Sequence, residues 1–245
     1  MSQVYGLHAV AGVVAADPAR VRVIHVQRGR RDRRMQELID SASSRGIRVE
    51  TVERAWLDRR CEGSHQGVLA DCHALAPLGE KAFEGRWGEL PAPHLLMVLD
   101  GVTDPRNLGA CLRSAEAAGV QAVLLPRRRS APLNDAALKA AAGAAESLLL
   151  VQVGNLARRL EWLKAQGVWL VGADGSATTR WDQADLRSSC AIVLGSEGTG
   201  MRALTARSCD TLVSIPMQGR VASLNVSVAA GILLFEAVRQ RGGAG

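Results

Sequence analysis

Apolar and polar positions along this chain fall in blocks that predict strands and helices in turn from one end to the other. An apolar stretch at 7–16 precedes Val21-Arg-Val-Ile-His-Val26, a short strand pattern. A polar, helix-like stretch at 33–44 follows, then a strand at 47–52, a short helix near 54–59 and a strand at 67–72. From Leu95 the pattern strengthens. LLMVLD (95–100) and VQAVLLP (120–126) are unbroken apolar runs, as parallel strands show when both faces are covered. Between them the sequence predicts a helix at 107–118, with Asn107 as its N-cap and Gly119 as its stop. Further helices are expected at 136–145, 156–166 and 226–241, and strands at 147–153, 168–171, 191–195 and 212–215. This alternation predicts an α/β fold built on a parallel sheet.

The segment 74–93 breaks the pattern. It carries Pro77, Pro91 and Pro93 with Gly79, Gly85 and Gly88, the composition of a connector. The expected organisation is a small α/β domain at 1–73, a linker at 74–93 and a second α/β domain at 94–245. Parallel sheets bind ligands beyond the carboxyl ends of their strands. Three segments at such ends, 101–114, 195–201 and 216–227, are rich in Gly, Ser and Asn, so a site assembled from several strand ends is expected.

A length of 245 residues suits two such domains. With 47% hydrophobic and 22% charged residues, and no apolar run of about 18, the composition is neither disordered nor transmembrane. The first residues lack a basic segment followed by an apolar core, so no secretory leader is expected. Five scattered cysteines without a CxxC spacing read as reduced thiols of a cytoplasmic protein.

Charge adds a partner class. Thirty basic against 24 acidic residues give +6, and 12 Arg against 9 acids up to His73 leave 18 against 15, so each half carries +3. Arginines gather at Arg28, Arg30, Arg31, Arg33 and Arg34, and again at Arg127, Arg128 and Arg129. Either cluster suits a solvated face; one per domain suits a polyanion. With one Tyr, two Phe and five Trp, no base-stacking platform is evident.

Gly195-Ser-Glu-Gly-Thr-Gly200 places three glycines around one acid, giving backbone amides close access to a ligand. Its GxxGxG spacing is neither the dinucleotide fingerprint nor a P-loop, which disfavours a nicotinamide dehydrogenase. A tight turn exposing Glu197 is the competing reading. Asn107 and Arg113 share one predicted helix but face different ways. They suit ligand contacts, or equally an N-cap and an Arg113–Glu116 surface pair. Ser223-Leu-Asn225 leads into an apolar helix, where turn and cap roles compete with a ligand or subunit contact. Cys61, His65, Cys72 and His73 match no usual zinc spacing, so no metal is expected.

Three segments resemble the motifs of the SpoU-type RNA ribose 2′-O-methyltransferases: DPRNLGACLRSAEAAGV (104–120), IVLGSEGTGM (192–201) and SIPMQGRVASLNVSVAAGILLFEAVRQ (214–240). VYGLHAVAGVV near the start, HQGVLADC (65–72) and ILLFEAVRQR (232–241) are similar to the branch acting on 23S rRNA, and the likeness covers essentially the whole chain. The resemblance implies an N-terminal substrate-binding domain like ribosomal protein L30, a linker, and a catalytic domain with a C-terminal trefoil knot. It implies a homodimer whose two chains share the site. The implied reaction moves a methyl group from S-adenosylmethionine, without a metal, to the ribose 2′-hydroxyl of a guanosine in 23S rRNA, free or in a large-subunit assembly intermediate. DNA lacks that hydroxyl. By position, catalytic roles fall on Asn107, Arg113, Glu197, Ser223 and Asn225, and cofactor contacts on Gly195, Ile215 and Leu224, with Met217 nearby. Arg28, Arg30, Arg31, Arg127 and Arg128 become the candidate RNA contacts. Arg113 is expected to stabilise charge or anchor a phosphate, because a guanidinium stays protonated near neutrality; direct base action is the alternative. The same reaction on tRNA, and a non-catalytic RNA-binding assembly factor, are the other functions these features fit.

Overall fold

The computed structural model describes residues 2–30, 32–61 and 63–242. It divides into two units, Met1–Ala76 with Ala142–Ser147, and Pro77–Ala141 with Leu148–Gly245. In the first, β1 (Ser2–Tyr5), α1 (Leu7–Ala16), β2 (Val21–Gln27), α2 (Arg33–Ser44), β3 (Arg48–Val52), α3 (Arg54–Asp58) and β4 (Val68–Cys72) follow in order. The sheet runs β1-β4-β2-β3, with β2 parallel to β3 and β4 antiparallel to both β1 and β2. Alternation along β4 sorts its two faces. Val68, Ala70 and Cys72 join Val10, Val13, Met35 and Leu38 of α1 and α2, whereas Leu69 packs with Leu57 and Cys61 beside α3. Residues 142–147 are tied into this unit by the buried ion pair of Glu146 with Arg20, 3.0 Å from Nη2 to Oε1. His65 is committed to the turn before β4: Nδ1 accepts from the Gly67 amide at 2.9 Å, so Nε2 carries the proton donated to Asp58 at 2.9 Å. Among the described residues no group of three or more His, Cys, Asp or Glu is placed to hold a metal ion. Nor is any described helix long and apolar enough to cross a membrane.

The second unit opens with β5 (Leu78–Gly79), α4 (Glu80–Arg86), β6 (Leu95–Asp100), α5 (Pro105–Ala117) and β7 (Ala122–Pro126). It continues with α6 (Asp135–Ala141), β8 (Leu149–Val153), α7 (Leu156–Ala165), β9 (Trp169–Ala173) and β10 (Thr179–Arg180). It ends with β11 (Cys190–Gly195), α8 (Ala203–Ser208), β12 (Thr211–Ser214) and α9 (Val226–Gln240). The strands make one sheet of order β10-β12-β9-β11-β6-β7-β8-β5 in which every neighbouring pair is parallel. All residues of β6 and β7 are buried, as their unbroken apolar runs require. Phe83 of α4 and Leu156, Leu160 and Leu163 of α7 cover one face; α9 packs against β11 and α5, and α5 against α6. The chain leaves β6 toward β7 on one side and β11 toward β12 on the other. The sheet therefore reverses its winding between β6 and β11, the place where open α/β sheets bind ligands.

Two expectations change here. The helix predicted from Asn107 begins earlier, because Asp104 Oδ1 accepts the Arg106 amide at 2.9 Å and Pro105 occupies the first turn. Asp104 is the cap, and Asn107 is released from that role. The connector expected at 74–93 is partly folded into the second unit. Phe83 is wholly buried, Glu80 accepts from Arg159 and from the Gly154 amide, each at 2.8 Å, and Glu84 accepts from Arg159 at 2.7 Å. The buried Arg159 guanidinium supplies a tertiary anchor that local composition does not express.

Gly109 permits the crossing of α5 and α6: a Cβ there would lie 2.3 Å from the Ala137 carbonyl oxygen and 2.6 Å from the Ala140 Cβ. Gly109→Ala is expected to lower the unfolding free energy by about 1–3 kcal/mol, seen as an earlier midpoint in urea. An unchanged midpoint would contradict this packing.

Candidate active site

Beyond the carboxyl ends of three adjacent strands, β12, β9 and β11, the loops enclose a cleft of about 620 Å³. Gly195, Ile215, Met217 and Leu224 lie in its wall, as do Glu197 and Ser223. Asp174 and Gly175, after β9, form a side that sequence patterning did not single out. Gly195 is bare for a reason internal to the loop. A Cβ there would stand 2.1 Å from both the Gly200 carbonyl carbon and the Met201 nitrogen. Its clearance is taken up by the returning chain at 200–201. Ser196 and Gly200 close the loop with reciprocal backbone bonds of 3.1 and 3.0 Å, and Gly198 and Gly200 adopt φ of 81° and 68°. Asp100, buried at the end of β6, pins the far end of the loop by accepting from the Arg202 amide at 3.0 Å and from its Nε at 2.7 Å.

Across the reversal point of the sheet, three side chains meet. Asn107 Nδ2 donates to Glu197 Oε1 at 3.0 Å. Asn225 Nδ2 donates to the same oxygen at 2.5 Å and to Asn107 Oδ1 at 2.9 Å, and the Val226 amide reaches Oε1 at 3.4 Å. A carboxylate only accepts, so Glu197 dictates the orientation of both amides. Asn225 also caps α9, its Oδ1 accepting from the Ser227 amide at 2.9 Å and from Ser227 Oγ at 2.6 Å. One side chain thus caps α9 and contacts Glu197.

The remaining candidates sit apart from this triangle. Arg113 is exposed on α5, outside the cleft wall, and makes no hydrogen bond or ion pair with the described residues; the surface pair with Glu116 does not form. Ser223 lines the cleft with its hydroxyl unengaged by the described residues. In the first arginine cluster, Arg30 bonds Asp32 at 2.6 Å and the Gln66 carbonyl, Arg28 pairs with Glu53 at 2.7 Å and Arg33 with Glu37 at 2.8 Å. Arg30 is thus a brace of its own loop, while Arg31 lies outside the described residues. Arg127, Arg128 and Arg129 are exposed and have no carboxylate partner among the described residues.

Electrostatically the cleft opposes the rest of the protein. Its wall holds two carboxylates, Asp174 and Glu197, and no Lys, Arg or His, although the chain carries +6. Hydrogen bonds from the Ser176 hydroxyl and amide hold the Asp174 carboxyl below its usual range. Burial, with the Glu197 charge adding to it, pushes the Cys111 thiol of α5 up to about 12. That cysteine is an inert core residue and not a nucleophile.

Residues 94–235 match the SpoU rRNA Methylase family, and residues 3–78 match the RNA 2′-O ribose methyltransferase substrate-binding family. The chain belongs to the SpoU family. This SpoU chain is 50% identical over 239 residues to the 23S rRNA (guanosine-2′-O-)-methyltransferase RlmB of Photorhabdus laumondii, covering 97% of itself and 98% of that protein. Its fold is similar to that of the SpoU methyltransferase AviRb from Streptomyces viridochromogenes, solved in complex with AdoMet, with a TM-score of 0.75 at 24% identity over 99% of this chain and 91% of that one. A protein solved in work on 2-OH methylation of C/U34 on tRNA matches 62% of this chain and 100% of its own, with a TM-score of 0.56 and 29% identity.

Three SpoU residues at the site escaped sequence reasoning: Asp100, Arg202 and Asp174. The signal for the first was present, since LLMVLD ends an apolar strand on a charge. Arg202 and Asp174 become recognisable only once their loops converge. Because Gly195 admits the chain at 200–201, Gly195→Ala is expected to displace the Glu197 loop. S-adenosylmethionine binding by calorimetry should fall at least tenfold, with the thermal melting point within a few degrees of wild type. Unaltered binding would show that the loop tolerates a side chain there.

Proposed function

We propose that this SpoU enzyme transfers the methyl group of S-adenosylmethionine to the ribose 2′-hydroxyl of a guanosine in 23S rRNA, working in the cytoplasm as a homodimer. The observation that carries the reading is the Asn107–Glu197–Asn225 triangle at an acid-walled cleft. It stands in a chain about half identical, over nearly its full length, to enzymes of that activity. At about 620 Å³ the cleft falls in the range of small-molecule sites. Leu194, Val213, Ile215 and Leu224 offer apolar surface for a base, and the two wall carboxylates suit a cationic ligand. Gly195, Ile215 and Leu224 would hold the cofactor, with Met217 flanking it. Bound there, S-adenosylmethionine supplies a methyl group activated by its sulfonium, and no metal is required.

The chain's own residues then have a positioning task. Glu197, oriented by two amides, accepts a hydrogen bond from the substrate ribose through its remaining oxygen, and Ser223 supplies its hydroxyl on the same wall. Arg113 keeps its proton near neutrality and stabilises the developing alkoxide or holds an adjacent phosphate. Its exposed place on α5 fits a site completed by the second protomer, and so does α9. Val228 and Phe235, seven residues apart on one helix face, are each 49% exposed and offer an apolar patch to a second copy.

Arg127 and Arg128, without a carboxylate partner among the described residues, suit RNA phosphates; Arg28 contributes only by exchanging Glu53 for phosphate. The substrate-binding family match at 3–78 supports 1–73 as the rRNA-recognition domain. The 62% overlap with the tRNA-related protein favours rRNA over tRNA as the substrate, with free 23S rRNA or an assembly intermediate as its form.

The test is methyl transfer from radiolabelled S-adenosylmethionine to rRNA from cells lacking this protein, mapped by resistance to alkaline cleavage. One resistant guanosine linkage in 23S rRNA is expected. Arg113→Ala should abolish it while cofactor affinity stays within a few-fold. Labelling of tRNA alone would replace the rRNA reading, and Arg113→Ala activity within tenfold of wild type would remove that residue's role. In sedimentation experiments the protein is expected to be a dimer, and Phe235→Glu should shift it to monomer with loss of transfer. A dimer unaffected by Phe235→Glu would place the interface elsewhere.

A further inference from the structure

The cleft wall is acidic inside a basic protein. Of the residues lining it only Asp174 and Glu197 are ionisable, and both are acids. Glu197 is largely spoken for: its Oε1 accepts from Asn107, Asn225 and the Val226 amide. Asp174 stands at the end of β9, half-buried. Its Oδ1 accepts from the Ser176 amide at 2.8 Å and from Ser176 Oγ at 2.7 Å. Its Oδ2 has no partner among the described residues. The backbone on either side is fixed, since the Asp174 amide donates to the Val213 carbonyl at 2.9 Å and the Asp174 carbonyl accepts from the Ala177 amide at 3.1 Å. The carboxylate is thus held in place, kept ionised by the same two Ser176 bonds, and uncompensated by any cation of the wall. An oriented charge of this kind costs nothing to reorganise when a ligand of opposite sign arrives.

The two ligands this cleft must distinguish differ in one charge. S-adenosylmethionine carries a sulfonium, an ammonium and a carboxylate, a net +1. When the methyl group leaves for the ribose oxygen, the bonding pair of the S–C bond remains on sulfur and the hydroxyl proton departs. S-adenosylhomocysteine is then a neutral thioether with net charge zero. Shape scarcely separates the two, since they differ by one methyl group. Charge does, and it acts on affinity through any carboxylate in the same cleft. We propose that Asp174 is a cofactor-selecting residue, its carboxylate favouring the sulfonium cofactor over the neutral product and so easing product release. This inference rests on the methyltransferase reading of the cleft.

Calorimetry on the full-length chain tests it, with S-adenosylmethionine and S-adenosylhomocysteine as the two probes. Asp174→Asn keeps the shape of the side chain and an oxygen for Ser176, and removes the charge. It is expected to weaken S-adenosylmethionine binding on the order of three- to tenfold, a Coulomb effect reduced by partial solvent exposure. S-adenosylhomocysteine affinity should stay within twofold, and Asp174→Glu should retain the wild-type ratio. Equal weakening of both ligands would assign Asp174 to a group they share and overturn charge selection; no change in either would overturn its part in binding altogether. Should Asp174→Asn not fold, wild-type protein still decides the matter. S-adenosylmethionine affinity must then fall with rising ionic strength more steeply than S-adenosylhomocysteine affinity, and parallel salt dependences would sink the idea. A wild-type chain that binds neither ligand would instead refute the methyltransferase reading itself.

Discussion

The site hangs on one carboxylate. Glu197 accepts through a single oxygen from two asparagine amides and approaches a main-chain amide at the start of α9, and those donors come from two segments remote from it and from each other. An acceptor-only group at that point forces both amides into one orientation. It joins the helix after β6, the loop after β11 and the cap of the last helix. Remove the charge and three segments lose their common reference. What makes the arrangement possible is the winding of the sheet, which reverses between β6 and β11 and leaves their carboxyl ends open side by side.

Around that point the backbone is held by devices that never touch a ligand. Gly195 makes room for the returning chain at 200–201, and buried Asp100 grips Arg202 by main chain and side chain together. Asp104 takes over helix capping, so that Asn107 has its side chain to spare. The polar residues of the motifs thus divide into those that shape the loops and those that face the cleft. Spacing alone did not separate the two groups.

Charge is partitioned in the same spirit. The surface is arginine-rich, yet much of that charge is consumed locally: Arg28, Arg30 and Arg33 all find carboxylates, whereas Arg127, Arg128 and Arg129 find none among the described residues. Counting arginines made the two clusters look alike, and their partners make them different. The cleft goes the other way, with two acids and no base in its wall. One protein thereby presents separate environments suited to a polyanion and to a cation.

The sequence by itself determined the elements whose burial is one-sided or complete. α2 and the strand β6 lie where periodicity put them, because an amphipathic stripe or an unbroken apolar run has one way to bury its surface. It also marked Gly195, Glu197 and Ser223, and the resemblance to the SpoU motifs added Ile215, Met217 and Leu224; the fold gathers all six around one cleft. Only the tertiary structure decided the rest. β5 and β10, two residues each, have no period to read and exist through their neighbours in the sheet. α4 was hidden in a stretch bordered by prolines, and is held by Arg159, a partner 75 residues and more away. That Asn107 meets Asn225, that Arg30 braces a loop, and that Asp174 faces the same cleft as Glu197 are all consequences of strand order. Strand order arises from packing between segments distant in the chain, and no local pattern encodes it.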